Sequence, residues 1–408
     1  MEKRRVVVTG FGMISPLGNS ADESWGALCA GKSGIRFDPQ MTAHGFKSQL
    51  SARPPEPSTD SIDPKALRFL GPGVIYGYLA LEEAIKNAGL TCEHVTHDRT
   101  GLIVGSGGPS TVDFFAAHEA VRLHNSTKRI SPTSIVKCMS STASASLAPA
   151  FGIRGIGTTV TSACATSLSC IIAGVKDIQL GLHDIIFAGG CELVDWTLSC
   201  LFDSMGAMSR RNDDPEHASR PFDKNRDGFV IAGGGGIVVL EELQHALKRD
   251  ATIYGELLGY GETSDGVDFV APSGEGAARC MRLALKTLPK GRRVTYLNAH
   301  GTSTPLGDTA EIQAIREVFC NNMPLITSTK GQTGHMIGAA GVNEFVFAIL
   351  MMLHRFIPPS ANIFELDPDI HEGEVLVVPW RGEIDAVMSN SFGFGGTNAS
   401  ILVGAYRD

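Results

Sequence analysis

The sequence predicts an α/β fold, because short apolar runs alternate along its 408 residues with longer segments of helical periodicity. The eight short runs are rich in β-branched residues, and most lead into Gly, Ser, Thr or Asn, as strands buried on both faces of a sheet do. These runs are Arg5–Thr9, Gly101–Val104, Thr158–Ser162, Asp184–Ala188, Gly236–Leu240, Val294–Asn298, Leu325–Ser328 and Ala386–Asn390. We therefore expect parallel-rich sheets that are covered by helices.

Five longer segments carry the helical periodicity. In Pro72–Ala88, apolar side chains recur every three or four positions, which places them on one face of a helix. The other four segments are Cys164–Leu180, Gly276–Leu288, Asp308–Phe319 and Gly338–Leu353. A seam at Arg249–Thr252, after a charged helical stretch, divides the chain into two expected units, residues 1–250 and 251–408.

Composition excludes several classes of protein. The chain has 35 Lys and Arg against 43 Asp and Glu, and this net charge of −8 argues against a general nucleic-acid-binding protein. Its nine cysteines include no Cys-x-x-Cys pair, and the linear spacing of the histidines does not suggest a zinc site. We therefore expect free thiols in a reducing, cytoplasmic compartment and no bound metal at a Cys/His site.

Two apolar stretches need separate interpretation. Val6–Val8 follows a basic N-terminus, but it meets Gly10 and then Pro16 at once, which favours a first strand over a signal peptide. Phe345–Leu353 is far shorter than the ~20 residues of a membrane span. The sequence thus predicts a protein with no membrane partner.

Cys164 is the strongest candidate nucleophile. It lies in Thr161–Ser167, where a predicted strand gives way through small residues to a predicted helix. A thiol on such a turn is accessible to a substrate, and the unpaired N–H groups at the helix start favour its thiolate form. An arbitrary cysteine is more often structural, but this context favours a nucleophile.

Two histidines follow predicted strands in a similar way. His300 enters the Gly/Ser/Thr loop Gly301–Thr304, and His335 follows the polar loop Ser328–Gly334. Such loops expose N–H and hydroxyl groups that suit a phosphate-bearing ligand. In a chain with a poised cysteine, two such histidines indicate a shared site.

Two glycine-rich stretches have different interpretations. Phe392–Asn398 contains three glycines in four residues, so its backbone can turn tightly and offer an N–H group to an oxyanion. Gly233–Gly236 lacks both the lysine of a P-loop and a Gly-x-Gly-x-x-Gly pattern, which argues against a nucleotide site.

Taken together, the chain resembles the 3-oxoacyl-[acyl-carrier-protein] synthase family, and most closely its bacterial type I subgroup. The similarity extends from Val8–Gly10 to the Phe392–Asn398 loop. The segments most similar to type I are Ser219–Asp223, Arg226–Gly233, Gly259–Gly261 and Ala271–Gly276. The resemblance implies a thiolase-like fold of two duplicated halves in α-β-α-β-α layers. It also implies condensation of an acyl thioester with malonyl thioester, both on acyl carrier protein, in fatty acid elongation.

Residue roles follow from the same resemblance. Cys164 matches the acyl-accepting nucleophile, while His300 and His335 match the pair that supports malonyl decarboxylation. The other matches are the lysine Lys330 beside that pair, the acidic Glu344 that orients it, the oxyanion and gating residues Phe392 and Phe394, the phosphopantetheine contacts Thr302 and Thr304, the acyl-tunnel residues Gly107 and Gly108, and the carrier-docking candidates Lys65, Arg68, Lys128 and Arg129. The family is homodimeric, and a structural monovalent cation near Glu344 is the only further bound group that we consider.

Several alternatives remain open at this stage. A thiolase needs a second catalytic cysteine near the C-terminus, and none follows Cys320. A type III starter enzyme pairs its cysteine with His and Asn, whereas His335 stands at the third position here. A type II elongation enzyme, a chain-length partner of a polyketide synthase and a cysteine hydrolase remain as alternatives, although the chain-length partner would lack Cys164.

Overall fold

A computed structural model describes residues 3–407 and confirms the predicted α/β class. Its strands are β1 Val6–Ile14, β2 Ile35–Phe37, β3 Leu50–Ala52, β4 Thr100–Gly105, β5 Gly157–Thr158, β6 Ile185–Glu192, β7 Gly234–Glu242, β8 Gly255–Ser264, β9 Val294–Asn298, β10 Leu325–Thr327, β11 Phe356–Ile357, β12 Trp380–Arg381, β13 Ala386–Gly393 and β14 Thr397–Gly404. Its helices are α1 Ala21–Cys29, α2 Pro39–Ala43, α3 Pro64–Leu67, α4 Pro72–Asn87, α5 Cys92–Val95, α6 Thr111–His124, α7 Ser134–Cys138, α8 Thr142–Phe151, α9 Thr166–Gln179, α10 Trp196–Met205, α11 Leu243–Lys248, α12 Glu275–Leu285, α13 Pro305–Phe319, α14 Lys330–Thr333 and α15 Ala340–His354.

The main sheet repeats one pattern twice. Its strand order is β10-β9-β13-β14-β8-β1-β7-β6-β4-β5, and from each outer edge inward two parallel pairings are followed by two antiparallel ones. The two sets of five strands meet where β1 pairs with β8 over only two residue pairs, Val7↔Glu256 and Val8↔Gly255. The repeat is the duplicated architecture expected from the resemblance.

Three apolar clusters define five layers. The central cluster contains α9 and α15 together with strands of both halves, so these two helices lie between the two sets of strands. A second cluster packs α4 and α8 on the outer face of the first set, and a third packs α12 and α13 on the second. Nearly every residue of α15 is buried, which agrees with its apolar composition on all sides.

The sheet departs from the sequence prediction in several places. Of the nine pairings in the main sheet, four are parallel and five antiparallel, so the expectation of parallel-rich sheets was wrong. The predicted strand Thr158–Ser162 forms only the two-residue β5 at the sheet edge. Strand β8 was missed because Gly259 and Gly261 weaken its pattern, yet a Cβ at either would lie 2.1 Å from a carbonyl oxygen of α12.

The apolar helical run before Arg355 is longer than its sequence suggested. Ile337–His354 is long and apolar enough to cross a membrane by length and composition, but 89% of it is buried inside the protein. This burial is typical of a core helix. At the other end of the chain, Val6–Val8 lies in β1 as predicted, while Met1 and Glu2 lie outside the described residues.

Candidate active site

Cys164 lies on a sharp turn that leads into α9. Ala163, the residue before it, has φ +49°, a conformation that costs energy for any residue with a Cβ. The hydroxyl of Thr166 stabilises the turn, because it accepts from the Ser162 N–H at 2.8 Å and donates to the Ala163 carbonyl at 2.7 Å. The chain therefore has, just before Cys164, the sharp turn that the sequence pattern predicted.

The protonation of this thiol differs from the sequence expectation. Burial raises the pKa of Cys164 to about 12, although the Lys330 charge and backbone N–H groups of Phe394 and Cys164 lower it. The helix start favours thiolate as expected, but desolvation of the sulfur outweighs this contribution. Cys164 thus rests as a thiol that needs a proton acceptor when it reacts.

His300 is held by a carboxylate that sequence reasoning missed. Glu311, on α13, accepts from the backbone N–H groups of His300 at 2.9 Å and Gly301 at 2.8 Å. The amide of Asn390 also donates to Glu311, at 3.2 Å. Burial raises the pKa of Glu311 to about 7, and its i, i+3 spacing from Asp308 was the available signal.

His335 emerges from the turn that follows α14. Its N–H donates to the Val230 carbonyl at 2.8 Å, and its ring packs edge-on against Phe229 with centroids 5.5 Å apart. At the start of α14, Lys330 forms a fully buried ion pair with Glu344 of α15. The structure therefore places Lys330 and Glu344 together, in the arrangement that the resemblance implied.

Cys164, His300 and His335 converge in space. One ligand-type atom from each lies within 4.8 Å of the others, and the two imidazole centroids are 5.2 Å apart at 84°. Folding thus brings the cysteine and the two histidines into one cluster, as predicted from the sequence. No described residue hydrogen-bonds either ring, and both Nδ1 atoms are buried without a partner.

The two imidazoles are neutral. Burial lowers the pKa of His300 and of His335 well below 6.5, and the nearby Lys330 charge lowers both further. A neutral imidazole has one N–H donor and one acceptor nitrogen. Two such donors beside a thiol can stabilise negative charge on a substrate oxygen.

A cavity of about 460 Å³ leads from the surface to this cluster. Its lining includes His300, Thr302, Thr304, Phe392 and Phe394, whereas Cys164 and His335 do not line it. The two threonine hydroxyls lie 3.1 Å apart. A Cβ at Gly393, between the two phenylalanines, would lie 3.0 Å from the Cys164 nitrogen, so this loop covers the nucleophile.

The remaining predicted residues lie in two further regions. A Cβ at Gly107 would lie 2.6 Å from a Glu192 carboxylate oxygen, whereas one at Gly108 would meet nothing within 4 Å. The docking candidates Lys65, Arg68, Lys128 and Arg129 are all exposed, and their side chains form no ion pair with any residue between 3 and 407. Glu192 was not predicted; it accepts from Gly107 and Gly338 N–H groups at 2.6 and 3.1 Å.

Family models match both halves of the chain. Residues 3–246 match the N-terminal domain of beta-ketoacyl synthase, and residues 254–364 match its C-terminal domain. The chain belongs to the beta-ketoacyl synthase family. This synthase is 48% identical over 407 residues to 3-oxoacyl-[acyl-carrier-protein] synthase 1 of Haemophilus influenzae and of Escherichia coli K12, covering 99% of this chain and 100% of each relative.

Solved structures give the same result for this synthase. A beta-ketoacyl synthase from Burkholderia phymatum STM815 superposes with a TM-score of 0.93 at 34% identity, over 99% of this chain and 100% of that one. A type II polyketide ketosynthase, solved with its acyl-carrier protein, gives a TM-score of 0.90 at 28% identity over the whole of both chains. The synthase 2 of Coxiella burnetii is 37% identical, over all of both chains, which is lower than the identity with the synthase 1 relatives.

Proposed function

We propose that this synthase condenses an acyl thioester with malonyl thioester, both on acyl carrier protein, to give 3-oxoacyl carrier protein and CO2 in fatty acid elongation. The observation that carries the proposal is the buried cluster of Cys164, His300 and His335 within 4.8 Å. The identity of 48% to synthase 1 relatives over 99% of the chain supports the reaction and the type I assignment.

The first half-reaction is acyl transfer to Cys164. Its Sγ attacks the acyl carbonyl, the thioester bond to the carrier breaks, and the thiol proton of Cys164 passes to the departing carrier thiolate. The N–H groups of Cys164 and Phe394, which already interact with the sulfur, would bind the oxyanion that forms during attack. Phe392 and Phe394 would move aside to admit the substrate arm from the cavity.

The second half-reaction uses the histidines. Malonyl thioester loses CO2, and the electron pair of the broken C–C bond moves into an enolate whose oxygen accepts N–H donors from His300 and His335. The enolate carbon then attacks the acyl group on Cys164, so a C–C bond forms and the C–S bond breaks. The released thiolate takes a proton from solvent, which restores the thiol.

Lys330 and Glu344 support this chemistry electrostatically. Burial lowers the pKa of both imidazoles and the Lys330 charge lowers it further, while Glu344 forms the ion pair with Lys330. Buried oxygen atoms without hydrogen-bond partners occur on Asn298, Glu344 and Ser389, and Asn298 is paired with Ser389 between β9 and β13. These oxygen donors fit a structural monovalent cation, which prefers such ligands.

We infer a cytoplasmic homodimer that docks an acidic carrier protein, and exposed features support the two interactions. Among the described residues, edge strand β5 pairs with β4 alone, and helix α6 has no buried residue. Leu123 of α6 is 64% exposed and Ile135 of α7 is 70% exposed. A second copy of the chain would cover this apolar surface. Lys65, Arg68, Lys128 and Arg129 offer the positive charge that an acidic carrier protein needs.

The decisive experiment is intact-mass measurement after adding an acyl-carrier-protein thioester and then malonyl carrier protein. We expect one acyl adduct that is absent from Cys164→Ala and that discharges as a chain two carbons longer. Discharge to free fatty acid alone would identify a hydrolase, and no adduct at any chain length would contradict the proposal. Light scattering tests the dimer, and replacing Lys65 and Arg68 together with Glu should raise KM for carrier substrates.

A further inference from the structure

Arg226 is a buried cation that the reaction scheme does not use. It lies in the long segment between α10 and β7, and only 2% of its side chain is exposed. Burying a guanidinium is costly unless every donor finds an acceptor. The positions of its partners therefore indicate what the side chain does.

All five N–H donors of Arg226 are used within the protein. Nε donates to the Thr304 carbonyl at 3.0 Å, one Nη1 hydrogen to the Asp223 carbonyl at 2.9 Å, the other to the Asp367 carboxylate, and Nη2 to the Pro305 carbonyl at 2.7 Å and the Thr309 hydroxyl at 2.8 Å. No donor is left for a ligand, so any effect of Arg226 on the reaction must pass through these neighbours.

Three of the five acceptors belong to the loop and helix start that border the cavity. Within this loop Ser303 has φ +69°. The Ser303 N–H donates to the Asp308 carboxylate at 3.1 Å, and the Ser303 carbonyl accepts from the Gly228 N–H at 3.0 Å. Asp308 is also the ion-pair partner of Arg226, at 3.5 Å. The ion pair of Arg226 and Asp308 thus holds the strained loop through hydrogen bonds to its backbone.

The clamped loop is continuous with His300 and contributes Thr302 and Thr304 to the cavity lining. A strained conformation persists only where its surroundings hold it. If Arg226 were lost, the carbonyls of Thr304 and Pro305 would lose their donors, and the two hydroxyls would move from their places along the cavity.

We propose that Arg226 is a positioning residue for the substrate arm: it holds the Thr302–Pro305 loop in the conformation that binds the phosphopantetheine of both carrier substrates. The inference rests on the proposed condensation. It predicts weaker substrate binding with an intact nucleophile, since Cys164 lies on a separate turn.

The test compares Arg226→Met and Arg226→Lys with the wild type in the full-length enzyme. We expect KM for acyl and malonyl carrier proteins to rise by about tenfold in Arg226→Met, with kcat changed by less than about threefold. Arg226→Lys should recover part of this loss, because an ammonium restores up to three donors. The alkylation rate of Cys164 by iodoacetamide should stay at the wild-type value in both variants.

Arg249→Met is the control, because Arg249 is a mostly buried arginine, 14% exposed, that forms an ion pair with Glu241 in the first half of the chain. It should lower thermal stability without changing KM. A double-mutant cycle with Thr304→Val adds a second readout. If Arg226 acts through the loop hydroxyls, the double variant should lose less than the sum of the two single losses in binding free energy.

The inference would be overturned by a KM within about threefold of wild type or by additive losses in the double-mutant cycle. It would also be overturned by an alkylation rate of Cys164 that falls as KM rises. If Arg226→Met does not fold, Arg226→Lys and Thr309→Val, which removes one acceptor, decide the question by the same criteria. Wild-type enzyme that does not condense would contradict the proposed function, whereas condensing wild type with unchanged variants would contradict only the role of Arg226.

Discussion

The turns that lead into the two central helices share a backbone outline but differ in chemistry. Ala163 lies three positions before the first residue of α9 and has φ +49°. Ile337 lies three positions before the first residue of α15 and has φ +43°. The next residue is Cys164 in the first half and Gly338 in the second. Equivalent positions of a duplicated fold therefore hold a nucleophile in one half and no side chain in the other.

The second turn is closed by a loop from the first half. A Cβ at Gly338 would lie 2.3 Å from the Gly107 nitrogen and 2.8 Å from a Glu192 carboxylate oxygen, so no side chain fits. The second half instead contributes His335, two residues before Ile337. Duplication thus supplies two similar turns, one with a cysteine and the other closed by the Gly107 backbone and Glu192.

The largest expected effect separates the two turns functionally. His335→Ala removes one enolate donor, so malonyl decarboxylation should fall on the order of 100-fold or more, as for other single oxyanion donors. Acylation of Cys164 belongs to the first turn and should stay within about threefold of wild type. Single-turnover acylation and CO2 release from malonyl carrier protein measure the two steps separately.

His354→Ala is the matched control for that variant, since His354 is an exposed residue at the end of α15 and stacks on Trp25. Neither step should change in it. An equal loss of acylation and decarboxylation in His335→Ala would show that the two turns do not divide the chemistry.

Glu192 joins the second turn to the loop at Gly107, and its titration should appear in stability. Burial raises its pKa from 4.5 to about 7, so between these values the folded protein keeps a proton that the unfolded chain has lost. Stability should therefore fall as pH rises through this window, by up to about 3 kcal/mol from this group. Glu192→Gln should remove that part of the pH slope.

The buried histidines have the opposite sign, because their lowered pKa makes stability rise with pH below about 6.5. The measurement is therefore the difference between wild-type and Glu192→Gln unfolding free energies at several pH values. A difference that stays constant from pH 4.5 to 7.5 would mean that Glu192 does not titrate in this range.

A smaller effect is expected from filling the closed turn. Gly338→Ala forces a Cβ against the Gly107 backbone, which should cost about 1–3 kcal/mol of unfolding free energy. Gly26→Ala is the control, because a Cβ there meets nothing within 4 Å and the backbone φ is ordinary. Chemical denaturation of both variants gives the comparison, and equal stability would mean that the second turn has room for a side chain.

The sequence predicted the elements around the site better than its electrostatics. Cys164, His300 and His335 each follow a strand predicted from the sequence, and the fold brings them together. They could be predicted because strand ends and glycine-rich loops have clear local sequence patterns. Glu192 was missed because a carboxylate that binds distant backbone N–H groups has no local signature, and for Glu311 the only signal was its i, i+3 spacing from Asp308. The thiol pKa was misjudged because burial depends on the whole fold, including the Phe392–Phe394 loop.

The last prediction tests whether the loop that closes the second turn also limits the acyl chain. Gly107 is packed against Glu192, whereas Gly108 faces open space beside Val74 and Leu198. Gly108→Ile should therefore fold normally and shift the products to shorter chains, with little change in kcat for short acyl substrates. Gly108→Ala, which adds one carbon, should shift them less. Product lengths measured by mass spectrometry that are unchanged in both variants would place the acyl chain elsewhere and leave the Gly107–Gly108 loop only its role in closing the second turn.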